Sequence, residues 1–216
     1  MYPIIAPAAK FKLKSKSGEI SAGGIAGFMR HGIISESKCF GSVTSTGGNY
    51  VGGICGQSLS IIQNSYVLST LFGGDYVGGV AGFGTTVKNC LSMPSITNHT
   101  GRFGALCGQI KIDSDTEVPH LESIVNNFYV GEYLNGIDDI DYKGAIDRIS
   151  YDTLTEFPDL PSEYRKLRII FRADDTYVGA KNVNYGDRYA DIEFPDVPYK
   201  EGYYGTWPDT AYETVH

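Results

Sequence analysis

The first 110 residues of this 216-residue chain contain very few acidic side chains. Only Glu19, Glu36 and Asp75 occur there, against eight lysines and arginines. An enzyme that cleaves polysaccharides on such a surface needs paired carboxylates, or a metal and a base, in one cleft. Because this half of the chain is too poor in carboxylates to form such a pair, we predict that the protein is not an enzyme.

Long apolar runs and a basic leader are also missing. No stretch reaches the roughly 20 apolar residues that a membrane helix requires, so we predict no direct membrane insertion. The short apolar run at the start is interrupted by Pro3 and Pro7 and follows no basic residue, which is unlike a signal peptide. If the protein is exported, we expect its signal to lie outside this sequence, and the chain would then be a piece of a longer protein.

Charge divides the chain into two halves. Residues 111–216 hold 22 aspartates and glutamates against ten lysines and arginines. A composition break of this size predicts two differently built parts. The acidic half would repel nucleic acid, so we predict no nucleic-acid partner.

A glycine-rich hexapeptide recurs in the first half. Its copies start at Ala22, Val51, Val77 and, in a weaker form, Phe103. Each copy is followed by a second short match, and we align these matches as residues 37–40, 63–66, 88–91 and 126–129. Four copies with two matched halves are the signature of a stacked repeat architecture.

The recurring residue types predict how the repeat folds. Glycine adopts a positive φ at a tight corner at little cost, and its missing Cβ lets strands approach at about 4.8 Å. Asn64, Asn89 and Asn127 suit turns and can stack as a hydrogen-bonded ladder. We therefore predict a mainly β protein with a short parallel β-solenoid of about four glycine-rich repeats.

The alternation within the repeat does not determine which residues face inward. Val51 and Cys55 share one parity of the strand, and Tyr50 and Ile54 share the other. Both pairs contain side chains that can fill a core, so the sequence supports either face.

Two further segments belong to the predicted solenoid. About 11 residues are inserted in the fourth copy near 113–122, which predicts a protruding loop. Residues 10–16 alternate lysine with other residues, which predicts a strand that caps the stack with its lysines in solvent. A polyanion-binding stripe is the alternative interpretation of these lysines.

The four cysteines fall on repeat positions. In our alignment Cys55 and Cys107 share one position two copies apart, and Cys39 and Cys90 share another. Equivalent residues two strands apart are separated by about 9.6 Å, beyond the Cα distance that a disulfide allows. The other copies hold small or apolar residues there, namely Ala26, Ala81, Ser65 and Phe128. We predict buried, reduced thiols, with a bridge between the two halves of a repeat as the alternative.

No catalytic, cofactor-binding or metal-binding residue is predicted. The acidic run 138–141 lacks the spaced oxygen ligands of a calcium loop, and we interpret it as solvated. The histidines show no metal-ligand spacing; they are His31, His99, His120 and His216.

Strand patterns return in the acidic half. Residues 136–165 are interpreted as an acidic connecting segment that holds a helical turn or two. Strands are predicted at 167–172 and 180–185, with a turn at Gly186.

Aromatic residues lie at the end of the chain. Trp207, the single tryptophan, is predicted to anchor a small core. A platform of Tyr203, Tyr204 and Trp207 for sugar rings is the alternative.

The repeat resembles a known family. Its second copy, Val-Gly-Gly-Ile-Cys-Gly from Val51 and Ile-Gln-Asn-Ser-Tyr from Ile62, is similar to the GLUG repeat over residues 18–131. The sequence departs from the pattern at Ala105, where the second glycine is missing, and in the loop after Gly108. Such repeats occur in large exported bacterial proteins, including adhesin-like surface proteins. The resemblance therefore implies surface display and no activity.

Residues 166–216 resemble the Listeria–Bacteroides repeat, a small β-grasp-like module of bacterial surface proteins. The match rests on the strand around Phe171, Tyr-Gly-Asp from Tyr185, the stretch 195–198, and Lys-Glu-Gly-Tyr from Lys200 followed by Trp207. It implies a spacer or interaction unit. The expected organisation is a repeat domain with an N-terminal capping strand at 1–135, a connection at 136–165 and a β-grasp-like module at 166–216.

Both resemblances point to the same class of function. We expect a non-catalytic structural or adhesion segment of an exported bacterial cell-surface protein, located on the cell surface or outside the cell. Its expected partners are host or bacterial surface glycans or proteins, and no cofactor is expected. The alternative is a carbohydrate-binding module of a larger secreted enzyme, which would use Tyr203, Trp207 or the loop 113–122.

Overall fold

The computed structural model describes residues 10–13, 20–131, 133–173, 176–202, 204–207, 213 and 215. The chain divides into two compact units, Met1–Ser150 and Tyr151–His216. The segment 136–165, which the sequence predicts to be a connection, is therefore shared between the two units.

In the residues of the first unit that the structure describes, the elements are short strands and a 3-10 turn at Leu121–Ser123. The strands are β1 Lys10–Leu13, β2 Ser21–Gly23, β3 Ala26–Met29, β4 Ile33–Ser35, β5 Lys38–Ser45, β6 Tyr50–Gly52, β7 Cys55–Gln63, β8 Tyr66–Phe72, β9 Val77–Gly78, β10 Ala81–Lys88, β11 Leu91–Ser92, β12 Ser95–Asn98, β13 Phe103–Gly104, β14 Cys107–Ile110, β15 Ile124–Val125, β16 Asn127–Tyr129 and β17 Ile146–Arg148.

Over residues 20–131 these strands form three parallel sheets. The first sheet contains β2, β6, β9 and β13, and the second contains β3, β4, β7, β10, β14 and β15. The third contains β5, β8, β11, β12 and β16, with β1 and β17 added at its two ends. Because the chain passes through the three sheets in turn, it winds a parallel β-solenoid of about three turns. The predicted solenoid is confirmed.

The glycine copies stack in the predicted register. Gly23, Gly52, Gly78 and Gly104 pair in line across the first sheet. A Cβ at Gly78 would lie 1.9 Å from the carbonyl oxygen of Ala81 and 2.7 Å from Cα of Cys107. The repeat therefore needs glycine here because backbone of the same turn and of the next turn occupies the space of a side chain.

The second half of the repeat stacks in a different register from the one we aligned. Lys38, Tyr66, Leu91 and Phe128 pair in line. The first copy is therefore shifted by two residues and the fourth by one residue, and Asn126 rather than Asn127 is equivalent to Asn64.

A left-handed turn explains this register. The residues two positions before the paired row all have φ between 50° and 53°; they are Glu36, Asn64, Asn89 and Asn126. Nδ2 of Asn89 donates to Oδ1 of Asn64, and Nδ2 of Asn126 donates to Oδ1 of Asn89, both at 2.9 Å. The predicted asparagine ladder exists, with Asn126 as its last member.

The core resolves the question of the inward face. Val51, Ile54 and Cys55 are all 0% exposed, whereas Tyr50 is half-buried. The two parities both contribute because the glycine corner between β6 and β7 interrupts the alternation. One buried cluster includes Ile54 and Cys55, and a second includes Val51.

Both ends of the stack are extended by strands outside the glycine repeat. β1, Lys10–Leu13, pairs in parallel with β5, so a strand lies where the sequence predicts a cap. The rest of the predicted strand lies outside the described residues. At the other end the amides of Ala105 and Leu106 donate to the carbonyls of Asn135 and Gly136 at 2.8 Å. Residues 135–148 therefore complete the last turn.

The described part of the second unit contains an antiparallel hairpin, β18 Lys166–Ala173 with β19 Thr176–Asn184. A short helix, α1 Tyr151–Thr155, and 3-10 turns at Ser162–Arg165 and Tyr189–Asp191 surround it in sequence. The two predicted strands and the helical turns are present. No further strand occurs in the part of 151–216 that the structure describes, so the β-grasp arrangement stays a prediction.

Candidate interaction surface

Aromatic rings form a column on the outside of the solenoid. Tyr50 and Tyr76 directly precede the paired residues Val51 and Val77, and their rings stack 4.8 Å apart at an interplanar angle of 9°. The guanidinium of Arg102, one turn further along, lies 5.5 Å from the ring centroid of Tyr76 and donates to its hydroxyl at 3.3 Å. We call these three residues the tyrosine–arginine column.

Two carboxylates hold this column in place. Oδ1 of Asp75 accepts the backbone amides of Tyr76 and Arg102 at 3.1 and 2.8 Å, which supports the positive φ of Tyr76. Oδ2 of Asp138 lies 3.3 Å from Nε of Arg102. Burial raises the pKa of Asp138, and the positive charge of Arg102 acts against that shift. The exposed end of the column is therefore a fixed ion pair.

A second column lies beside the first. Phe28, Gln57, Phe83 and Gln109 pair in line across four strands of the second sheet. Phe28 is 52% exposed and the other three are half-buried. The ring of Tyr50 meets that of Phe83 edge-on, with centroids 6.5 Å apart. We call these four residues the phenylalanine–glutamine column, and the two columns together the outer surface.

The inserted loop is present where the sequence predicts it, between β14 and β15. Its first residue, Asp113, accepts hydrogen bonds from the amides of Asp115 and Thr116 and from the hydroxyl of Thr116, at 2.9–3.0 Å. These bonds lower the pKa of the Asp113 carboxyl. The carboxylate is therefore engaged in shaping the loop.

The acidic run 138–141 is likewise part of the fold. Asp141 accepts the hydroxyl of Tyr129 at 2.5 Å and the amide of Gly136 at 3.1 Å. Asp138 pairs with Arg102. Among the described residues no group of His, Cys, Asp and Glu is placed to hold a metal ion.

The predicted aromatic platform of the second unit is only partly described. Nε1 of Trp207 donates to the carbonyl of Pro195 at 2.6 Å, and its ring packs on Phe171 at 5.3 Å. Tyr204 is fully exposed, and Tyr203 lies outside the described residues. Trp207 therefore acts as the anchor that the sequence predicts.

All four cysteines are buried and free, as predicted. Cys55 and Cys107 both pair with Ala81, so their shared position is confirmed. The shared position of Cys39 and Cys90 is wrong, because Cys39 pairs with Val67 whereas Cys90 precedes the row of Tyr66 and Leu91. The error follows from the two-residue shift of the first copy.

Burial also suppresses thiol reactivity. It raises the pKa of Cys55 to about 11 and that of Cys90 to about 12, mainly through desolvation of the thiolate. In the folded chain we expect no labelling by a water-soluble aromatic disulfide at mildly alkaline pH, and four labels after unfolding in guanidinium chloride. Absorbance of the released thiolate measures both. Rapid labelling of a thiol under native conditions would contradict the sealed core.

Sequence reasoning noticed only part of the outer surface. The tyrosines before the second and third glycine copies are visible as a repeat, but Arg102 takes the place of tyrosine in the fourth copy and gave no signal. A cleft lined by His99, Phe103 and Tyr133 was also missed, because its residues come from different turns. A search for outward positions conserved between copies in size and planarity would have found the two columns.

Comparisons of the chain with models of protein families, with curated proteins and with solved structures found no match. In the part of the chain that the structure describes, no helix has the length and apolar character needed to span a bilayer.

Proposed function

We propose that the chain is a non-catalytic display and adhesion segment of an exported bacterial cell-surface protein. The observation that carries this proposal is the outer surface. The repeat places aliphatic side chains inside the coil and lines up rings, amides and one arginine outside it. Aromatic residues and arginine are enriched in protein interfaces, where lysine and glutamate are depleted.

Rigidity supports the same proposal. Stacked turns hold each outward side chain at the strand spacing of about 4.8 Å, so little conformational entropy is lost when a partner binds. The resemblance of the repeat to GLUG proteins and of residues 166–216 to a surface-protein spacer agrees with display on a cell. The partners we propose are surface glycans or proteins of the host or of other bacteria.

An array experiment tests the adhesion part. The full chain is applied to glycans and extracellular-matrix proteins at physiological ionic strength, together with Phe28→Ala and Tyr177→Ala. These two rings are 52% and 57% exposed, but Tyr177 lies in the second unit. We expect a specific hit that Phe28→Ala weakens at least about five-fold and that Tyr177→Ala leaves unchanged.

Two results would contradict the proposal. If the chain is shown to be folded and binds nothing on the array, the adhesion part of the proposal would be wrong and only a spacer role would remain. If Phe28→Ala and Tyr177→Ala weaken a hit equally, the outer surface would not be the site that binds the partner. Protease treatment of intact producing cells tests localisation, since a surface-displayed chain is cleaved and an internal one is protected.

A further inference from the structure

A cleft of about 380 Å³ opens on the first unit. His99 and Phe103 line it with stacked rings whose centroids are 3.9 Å apart. Tyr133 also lines the cleft and is 91% exposed. Its side chain makes no hydrogen bond or ring contact with another described residue. Ile96 and Leu134, both half-buried, add aliphatic surface. We call this site the aromatic cleft.

The aromatic cleft offers hydrogen-bonding groups. None of its described lining residues is an aspartate, glutamate, lysine or arginine. Its polar groups include the hydroxyls of Ser95 and Tyr133 and the ring of His99. Nδ1 of His99 lies 3.3 Å from the carbonyl oxygen of Gly101. Because a carbonyl oxygen only accepts hydrogen bonds, Nδ1 of His99 is the donor in this contact.

We infer that the aromatic cleft binds a neutral hexose unit of a glycan. A sugar ring presents C–H groups on its faces, which pack on aromatic rings, and hydroxyls at its rim, which need a few donors and acceptors. Rings of His99, Phe103 and Tyr133 beside the hydroxyl of Ser95 supply both. The volume lies within the usual range for small-ligand sites.

The absence of lysine and arginine from the described lining distinguishes between classes of sugar. A sialylated or sulfated glycan would bring an anion that meets no lysine or arginine there, and an unpaired anion is costly to desolvate. This inference deepens the adhesion proposal by naming a ligand class, and it rests on that proposal only for its biological role. The aromatic cleft shares no residue with the outer surface, so the two can fail separately.

Saturation-transfer NMR and calorimetry of the full chain test the inference. The probes are maltose, cellobiose and lactose, with sialyllactose as the anionic comparison and benzyl alcohol as the purely aromatic one. We expect at least one neutral disaccharide to bind with a Kd of about 1 mM. Tyr133→Ala should weaken this binding at least about ten-fold, whereas Tyr133→Phe, which keeps the ring, should stay within about three-fold.

The matched control is Tyr204→Ala, which removes a fully exposed tyrosine from the second unit and should leave binding unchanged. Replacing either exposed tyrosine should not disturb folding. Absence of binding by all three neutral disaccharides, binding that survives Tyr133→Ala, or tighter binding of sialyllactose or benzyl alcohol would overturn the inference. If an array hit is lost in Phe28→Ala and no neutral disaccharide binds, the inference about the aromatic cleft alone would be overturned. The proposed adhesion would then be upheld.

Discussion

Gly78→Ala is expected to prevent the first unit from folding stably. The added Cβ would lie 1.9 Å from the carbonyl oxygen of Ala81, 2.6 Å from the amide nitrogen of Gly108 and 2.7 Å from Cα of Cys107. These are backbone atoms of the same turn and of the next, so no side-chain rotation relieves the contact. We expect a loss of about 4 kcal/mol or more in the free energy of unfolding, a large share of the stability of a typical domain.

Thiol labelling during thermal unfolding measures this loss for the first unit alone, since all four cysteines lie within it. The matched control is Gly131→Ala, whose Cβ would meet the nearest atom, Cβ of Leu134, at 3.4 Å. We expect the control to unfold within about 1 kcal/mol of the natural chain. If Gly78→Ala protected its thiols as well as Gly131→Ala does, the close approach of the turns would be wrong.

The close approach of the turns in the glycine half of the repeat could be predicted because this constraint is visible in the residue type. The positive φ that was also predicted at this corner is absent at Gly52 and Gly78. A corner that excludes every Cβ requires glycine in each copy, and Gly52 and Gly78 therefore mark the same position. The column of Cys55 and Cys107 followed from the same register. For Cys55 and Cys107 the absence of a disulfide could be derived from strand spacing, and their burial from the alanines at the same position in the other copies.

The second half of the repeat was misaligned because its constraint is a backbone conformation. Any residue that tolerates a left-handed turn can occupy the position, and Glu36 does so in the first copy with φ of 51°. Similarity of side chains instead aligned Cys39 with Cys90, which put Lys38 at the position of the turn. Asparagine is favoured in such turns but not required, so residue identity could not fix the register.

The end of the solenoid could not be predicted from the sequence for a related reason. The last turn needs carbonyl oxygens for the amides of Ala105 and Leu106, and every residue carries a carbonyl. Asn135 and Gly136 supply them without repeating any motif. The predicted boundary at 135 followed the loss of the repeat, whereas the first compact unit continues to Ser150.

Whether a site could be predicted from the sequence depended on whether its residues recur in each copy of the repeat. The tyrosine–arginine column repeats once per turn, so two of its three members, Tyr50 and Tyr76, were visible in the sequence. The aromatic cleft combines residues from two turns and from the segment after β16. No period connects His99 with Tyr133, and only the folded chain brings them together.

Asn127→Ala is expected to show that one buried amide fastens the last turn to the stack. The side chain of Asn127 is 0% exposed. Its Oδ1 accepts the amide of Cys90 at 3.0 Å, and its Nδ2 donates to the carbonyls of Val87 and Ala145 at 2.9 and 3.2 Å. Alanine would leave the buried amide of Cys90 without this acceptor and would remove the side-chain donations to the carbonyls of Val87 and Ala145. The carbonyl of Ala145 would keep the backbone amide of residue 127 as a donor at 3.3 Å. We expect the change to cost about 3 kcal/mol.

Asn127→Ser separates this role from simple packing. Serine occupies the equivalent position in the second turn, where Oγ of Ser65 accepts the amide of Ser37 at 3.2 Å and donates to the carbonyl of Gln63 at 2.7 Å. A serine at 127 can therefore accept the amide of Cys90 but cannot reach Val87 and Ala145 as the amide does.

We expect Asn127→Ser to recover about half of the loss caused by alanine, with urea-induced exposure of the thiols as the measurement. Asn126→Gly is the control, because it removes one exposed ladder bond and keeps the left-handed turn, at a cost below about 1 kcal/mol. If Asn127→Ser were no more stable than Asn127→Ala, the bond to Cys90 would not hold the turns together. The stability of the last turn would then come from the apolar contacts of its strands.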